Sequence, residues 1–392
     1  MCICPTTWCV VQEHLVVSKG YPFERHCVTT DDGYVLEMHR IPAGRGPCLE
    51  PCHREPVLLM TGLATDSASF VSDFPEQSLG FVLADRGYDV WMANTRGNTY
   101  GRQHVNLSVK TKRFWDFSFH EHGIYDAPAQ IDYILDERRR DCLLYVGISQ
   151  GTLMFFVMMS ERPEYNAKVR VPETSCAGTG TIQVPTRARV PLVGTVQTLR
   201  AIVTKSQGKQ MASYSALNTY AAKGVCALPA QSVCSAVIDK VVNFGTKYAN
   251  RSAKKKKKRN LKEQVVTALK NVFHWSHLRA KISSLNSQYK ENERNRYLHA
   301  QPPLYSLDSM TTDVGVFWSL GDKLVFPDTV AQLIRDLGPR VKKNFYVDDP
   351  DYTHINFVIA LNSPHVLFPD ILEFLARYLE PCDRGPGSGG QE

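Results

Sequence analysis

Cys142-Leu-Leu-Tyr-Val-Gly-Ile-Ser-Gln-Gly-Thr-Leu-Met-Phe-Phe-Val-Met-Met159 is the stretch that decides the fold. Its opening, Cys142 to Val146, is a short apolar run that reads as a buried strand, and Leu153 to Met159 suits a buried helix. Between them Gly147-Ile-Ser-Gln-Gly151 matches G-x-S-x-G. A turn this sharp forces strained backbone angles on the serine, and the flanking glycines leave room for strand and helix to cross. Ser149 Oγ then stands at the carboxyl end of a sheet, beside the positive end of a helix. The pentapeptide alone arises often by chance, and its plain alternative is a glycine-rich turn. The strand before it and the helix after it favour a nucleophile.

Outward from this turn, strands and helices alternate. Arg25 to Thr30 and Tyr34 to Ile41 read as strands joined by the tight Asp31-Asp32-Gly33 turn. Pro56 to Met60 and Tyr88 to Ala93 are short apolar runs, hence buried strands. Glu76 to Asp85 and Asp126 to Asp136 carry helical spacing. Further on, the pattern predicts a strand over Val314 to Leu320, a helix over Thr329 to Leu337, a strand over Lys343 to Val347 and a last helix over Val366 to Leu379. Alternation of this kind implies a mostly parallel sheet covered on both faces. From about 172 to 305 the rhythm breaks, so this stretch reads as an insertion. Val171-Pro-Glu-Thr-Ser-Cys-Ala-Gly-Thr-Gly180 is short of apolar β-branched residues, and a central strand here is expected to be missing or distorted.

A serine hydroxyl needs a histidine to take its proton and a carboxylate to fix that histidine's tautomer. On a strand–turn–helix elbow the chain order is Ser, then Asp or Glu, then His. Past Ser149 the histidines are His274, His277, His299, His354 and His365. His354 lies in the polar turn Asp351-Tyr-Thr-His-Ile-Asn356, between the last strand and the last helix, where the base belongs. His365 follows Pro364 at a helix start and reads as a surface residue. Asp322 ends Val316-Phe-Trp-Ser-Leu-Gly-Asp322 and is the expected acid; its competitor Asp328 is explained as a helix cap. The oxyanion hole needs two backbone N–H groups, expected from Leu63, after Thr61-Gly62, and from Gln150.

The 392 residues carry a net charge of +7, and six positive charges sit in Lys254 to Arg259. That run reads as a solvated loop, and nothing else resembles a nucleic-acid module, so no nucleic-acid partner is expected. No apolar run reaches the roughly 18 residues of a bilayer span. His120-Glu-His122 and His274-Trp-Ser-His277 bring only pairs together, so neither a metal nor another cofactor is expected. The start lacks the pattern of a signal peptide. Asn106-Leu-Ser108 and Asn250-Arg-Ser252 are glycosylation sequons, and the 11 cysteines leave at least one thiol unpaired within a monomer.

With these residues placed, the chain resembles the acid lipase family, which includes lysosomal acid lipase and gastric lipase. The resemblance rests on Gly20-Tyr-Pro-Phe-Glu-Arg-His-Cys-Val-Thr-Thr-Asp-Asp-Gly-Tyr-Val-Leu36 and on Gly87-Tyr-Asp-Val-Trp-Met-Ala-Asn-Thr-Arg-Gly-Asn-Thr99. Phe117-Ser-Phe-His-Glu121, Tyr125-Asp126, Pro128, Phe273-His-Trp-Ser276, Pro302-Pro-Leu-Tyr305 and Tyr352-Thr-His354 extend it. It implies an α/β-hydrolase fold with a mostly helical cap or lid inserted between the sheet halves. The expected division is an irregular 1–15, a core over 16–171 and 306–382, a cap over 172–305 and a disordered tail over 383–392. The implied activity is hydrolysis of neutral lipid esters, triacylglycerols or sterol esters, with the cap meeting the lipid surface. The family also implies a secreted or lysosomal location, glycosylation and a Cys226–Cys234 disulfide. Two positions depart from it: Thr61 and Ile148 stand where the family usually has histidine. An inactive lipid-binding or interaction protein on the same scaffold, and an esterase of small soluble esters, are the rival readings.

Overall fold

A strand buried on both faces sends alternate side chains into two different cores, and the central strands here do so. In a computed structural model, which describes residues 8–46, 54–63, 65–175, 305–322, 324–325 and 327–379, the strand β3 (Pro56–Met60) is buried throughout. Its Val57 and Leu59 join one apolar cluster, and Leu58 and Met60 join the other. Each cluster is roofed by helices. On one side lie α1 (Trp8–Val17), α2 (Leu79–Asp85) and, from the far end of the chain, Phe368–Ala376. On the other lie α3 (Ala127–Arg138), α4 (Gln150–Glu161) and α5 (Pro327–Leu337), with the Phe368–Ala376 helix being α6.

The sheet runs β1 (Glu24–Thr29), β2 (Tyr34–Ile41), β4 (Asp89–Met92), β3, β6 (Leu143–Ile148), β7 (Val169–Ser175), β8 (Val314–Ser319) and β9 (Val341–Val347), with β5 (Gln103–His104) beside β2. The pairs β1–β2, β2–β4 and β2–β5 are antiparallel, and every pair from β4 through β9 is parallel. Parallel strands present all their carboxyl ends along one edge, and that edge receives the loops after β3, β6, β8 and β9. No helix among the described residues is long and apolar enough to cross a membrane.

Two expectations need correction. The expected irregular start is helical from Trp8 to Val17, with Gln12 and Val16 fully buried; its β-branched valines are poor helix formers, and docking onto the core overrides that propensity. Second, the central strand is present: β7 lies between β6 and β8 and continues to Ser175, past the expected boundary at 171. It is irregular, as its composition implies, because the β6–β7 register shifts between Leu143 and Tyr145, and Pro172 sits opposite Tyr145 without an N–H to donate. Beyond these, Cys27 on β1 and Cys142 just before β6 are both disulfide-bonded, which the cysteine spacing did not indicate. The Cys226–Cys234 pairing, the lysine run, the Asn250 sequon, the 383–392 tail and nearly all of the expected cap lie outside the described residues.

Candidate active site

Ser149 has φ 56° and ψ −113°, a left-handed conformation that a non-glycine residue adopts only under constraint. The constraint is the crossing of β6 and α4. A Cβ on Gly147 would stand 2.8 Å from Thr152 N, and one on Gly151 would stand 2.5 Å from Met60 O. Both glycines are therefore required by backbone contact. Ile148 points into the core, 4% exposed, and leaves Ser149 as the residue of the turn that faces outward.

Asp322 and His354 lie on the same sheet edge, after β8 and β9, with β7 between those strands and β6. Asp322, in the loop after β8, accepts from His354 Nδ1 through Oδ2 at 2.7 Å. Its other oxygen accepts from Leu324 N at 2.8 Å and Val325 N at 3.0 Å. A carboxylate held by three N–H donors has one orientation, and in a neutral imidazole that donates through Nδ1 the Nε2 lone pair is the open one. The two loops are locked to each other as well. Ser319 Oγ donates to Tyr352 O at 2.7 Å and accepts from Gly321 N at 3.0 Å. A Cβ on Gly321 would stand 2.5 Å from Tyr352 O, so the glycine before the acid is what lets the loops touch. Asp322 and His354 are buried, 3% and 9% exposed, while Ser149 is half-buried. No hydrogen bond joins Ser149 Oγ to His354 among the described residues; such bonds are often long without substrate and tighten when it binds.

Beside the serine lies the loop after β3. A Cβ on Gly62 would stand 3.2 Å from Ser149 Cβ and 3.7 Å from its Oγ. Thr65 Oγ1 closes the turn by donating to Gly62 O at 2.9 Å. Neither Leu63 N nor Gln150 N donates to a protein group among the described residues. Both N–H groups therefore keep their donor capacity for another acceptor.

Arg96, from the block Asn94-Thr-Arg-Gly97, explains why that block is distinctive. Only 2% exposed, it donates Nε to Asp126 Oδ1 at 2.7 Å and Nη2 to Asp32 Oδ1 at 2.8 Å, with its guanidinium 4.0 Å from the Tyr34 ring centroid. Burial opposes its charge, but the two carboxylates outweigh burial and hold its pKa above the ordinary value. Arg96 so ties the β1–β2 turn to the π-helical turn His122–Asp126. Sequence reading missed that turn and the contact it makes with Gln150, since a π turn has no periodicity of its own. A groove of about 600 Å³ between α2 and α6, lined by Arg45, Val82, Phe368 and Leu372, includes none of the site residues.

A strand–turn–helix elbow on a mostly parallel sheet roofed by helices on both faces defines the α/β-hydrolase class. The chain belongs to that fold family, whose model, described as alpha/beta hydrolase fold, matches residues 55–360, and a partial alpha/beta-hydrolase lipase region matches residues 13–74. Within it the chain is a lipase, a carboxylic ester hydrolase. It is 30% identical to the gastric triacylglycerol lipase of Homo sapiens, covering 92% of this chain and 90% of that one. It is 32% identical to Lipase 1 of Drosophila melanogaster, covering 94% and 80% of the two chains. A relative in Crotalus adamanteus, named for lysosomal acid lipase and cholesteryl ester hydrolase, is 28% identical over 92% of this chain and 89% of its own. The same fold is seen in the lip1 protein of Acinetobacter baumannii, with a TM-score of 0.55 at 10% identity, covering 95% of this chain and 97% of that one.

Proposed function

We propose that Ser149, His354 and Asp322 hydrolyse neutral lipid esters, triacylglycerols or sterol esters, through an acyl-enzyme. The observation that carries this reading is the buried Asp322–His354 hydrogen bond of 2.7 Å, on the sheet edge that also holds the strained Ser149. His354 Nε2 takes the Ser149 proton as Oγ attacks the ester carbonyl. The carbonyl oxygen gains negative charge, which Leu63 N–H and Gln150 N–H stabilise. Collapse of the tetrahedral intermediate expels the alcohol, protonated by His354, and leaves an acyl group on Ser149. Water, deprotonated by the same imidazole, then releases the fatty acid. Asp322 holds the imidazole and stabilises its positive charge without itself taking the proton.

The neutral lipid class is supported by the names of the gastric and lysosomal relatives. The same relatives support a secreted or lysosomal location. Lipid-surface contact is assigned to the cap between the two core segments.

Release of fatty acid from emulsified triolein and cholesteryl oleate, measured from acidic to neutral pH, tests the proposal. Ser149→Ala is expected to lower turnover by a factor of about 10⁶ while the protein stays folded. Turnover that survives this substitution sinks the triad. Cleavage of soluble short-chain esters alone would favour the esterase reading instead.

A further inference from the structure

We infer that His122 is a positioning residue for the oxyanion hole, acting through the Gln150 side chain. The inference rests on the triad reading above, in which Gln150 N–H stabilises the developing charge. Gln150 Nε2 lies 2.6 Å from His122 Nδ1, and His122 is buried, 4% exposed. The glutamine amide donates and the imidazole accepts when Nδ1 is unprotonated. With the amide turned over, Oε1 accepts from Nδ1–H, so the tether holds with either arrangement of protons.

The backbone explains why the two groups meet. Gly123 has no side chain, and a Cβ there would stand 2.5 Å from Val157 Cγ1 and 3.1 Å from Met154 O. The π turn therefore lies directly against α4. Its far end is fixed by Asp126, which accepts from Arg96 Nε at 2.7 Å and from Arg96 N at 2.9 Å. At its near end His122 N donates to Ser118 O at 3.4 Å, and the His122 ring packs on Phe117 with centroids 5.4 Å apart. His122 is thus a rigid post, and Gln150 is the first residue of α4. The first N–H groups of a helix have no intrahelical acceptor and are free to splay. Tethering the side chain of the first residue limits that freedom where the direction of the N–H decides transition-state stabilisation.

The test is a double-mutant cycle on His122→Ala and Gln150→Ala, read with a short activated ester and with a phosphonate that traps the tetrahedral geometry. Gln150→Ala keeps the backbone N–H and loses only the tether. Removing a whole donor costs on the order of 10²–10³ in kcat, so loosening one is expected to cost about tenfold. Each single variant should lose about that much kcat and phosphonate reactivity, with KM within a factor of about two. The double variant should lose no more than either single. His122→Asn, which keeps a hydrogen-bonding side chain, should recover most of the loss. Additive losses, a change in KM alone, or an unchanged kcat overturn the inference. Should His122→Ala fail to fold, Gln150→Ala and His122→Asn decide it by the same readings. A dead Ser149→Ala beside an unaffected His122→Ala rejects the tether only; full turnover by Ser149→Ala rejects the triad and the tether together.

Discussion

Gly62 is the residue at which one added carbon would press directly on the serine side chain. Its Cβ would approach Ser149 Cβ at 3.2 Å and Ile148 O at 3.3 Å. The elbow is braced by Gly147 and Gly151 contacts and cannot yield, so the Gly62 loop must move instead, carrying Leu63 N–H with it. Gly62→Ala is expected to lower kcat about tenfold to a hundredfold, since small misplacements near the reacting centre cost this much. KM should change little, and the melting temperature should stay close to wild type, because the site is a surface turn. A kcat equal to wild type would show that the loop does not supply a donor.

At the scale of elements, a second Ser–His–acid set holds α1, β2 and the turn after the Gly62 loop together. His39 Nδ1 lies 2.7 Å from Ser67 Oγ, and His39 Nε2 lies 2.7 Å from Glu37 Oε1. Ser67 Oγ also meets Gln12 Oε1 at 3.2 Å and accepts from Asn94 Nδ2 at 2.9 Å. The residue types repeat those of the active site, but Ser67 and His39 are both 0% exposed, and no ester can reach them. Burial lowers the His39 pKa, with Glu37 opposing it. A histidine whose folded pKa is depressed leaves stability intact above its unfolded value of about 6.5 and erodes it as pH falls below that. Asp66, next to Ser67, works the other way: burial raises its pKa, so its contribution is full below about 3.8 and is lost as pH rises through the folded value. His39→Gln removes the histidine's share alone. Its melting temperature should start lower near neutrality and fall less than wild type on acidification from about pH 7 to 5. Parallel curves for the two proteins would mean that His39 does not set the acid limb.

At the scale of the molecule, β7 is the seam between the chain before the insertion and the chain after it. Thr174 pairs with Gly147 on one side and Val316 on the other. A proline there removes a donor from a strand flanked on both sides, so Thr174→Pro should abolish cooperative thermal unfolding and esterase activity together. An active, cooperatively melting variant would show that the two halves are held by their helices instead. This seam is also where the sequence was hardest to read. The elbow, Asp322 and His354 were legible because strained turns and proton relays tolerate few residue types at fixed places in the strand order. β7 was not, because a strand between two others is held by its neighbours' ladders and can carry Pro172 and Glu173, both poor strand formers. The α1 helix was hidden for the same reason, its stability being borrowed from the core it docks on. The contact of His122 with Gln150 escaped notice because the two lie nearly thirty positions apart, at a spacing no periodic pattern marks.

That same order of strands has a consequence during synthesis. The nucleophile is translated well before the insertion, and its acid and base only after it. At about 5–20 residues per second, Ser149 waits on the order of ten seconds or more for His354 to leave the ribosome. Under the proposed triad, Ser149 therefore has no base beside it until the last two strands have docked. On that reading, chain order alone separates the making of the nucleophile from its activation.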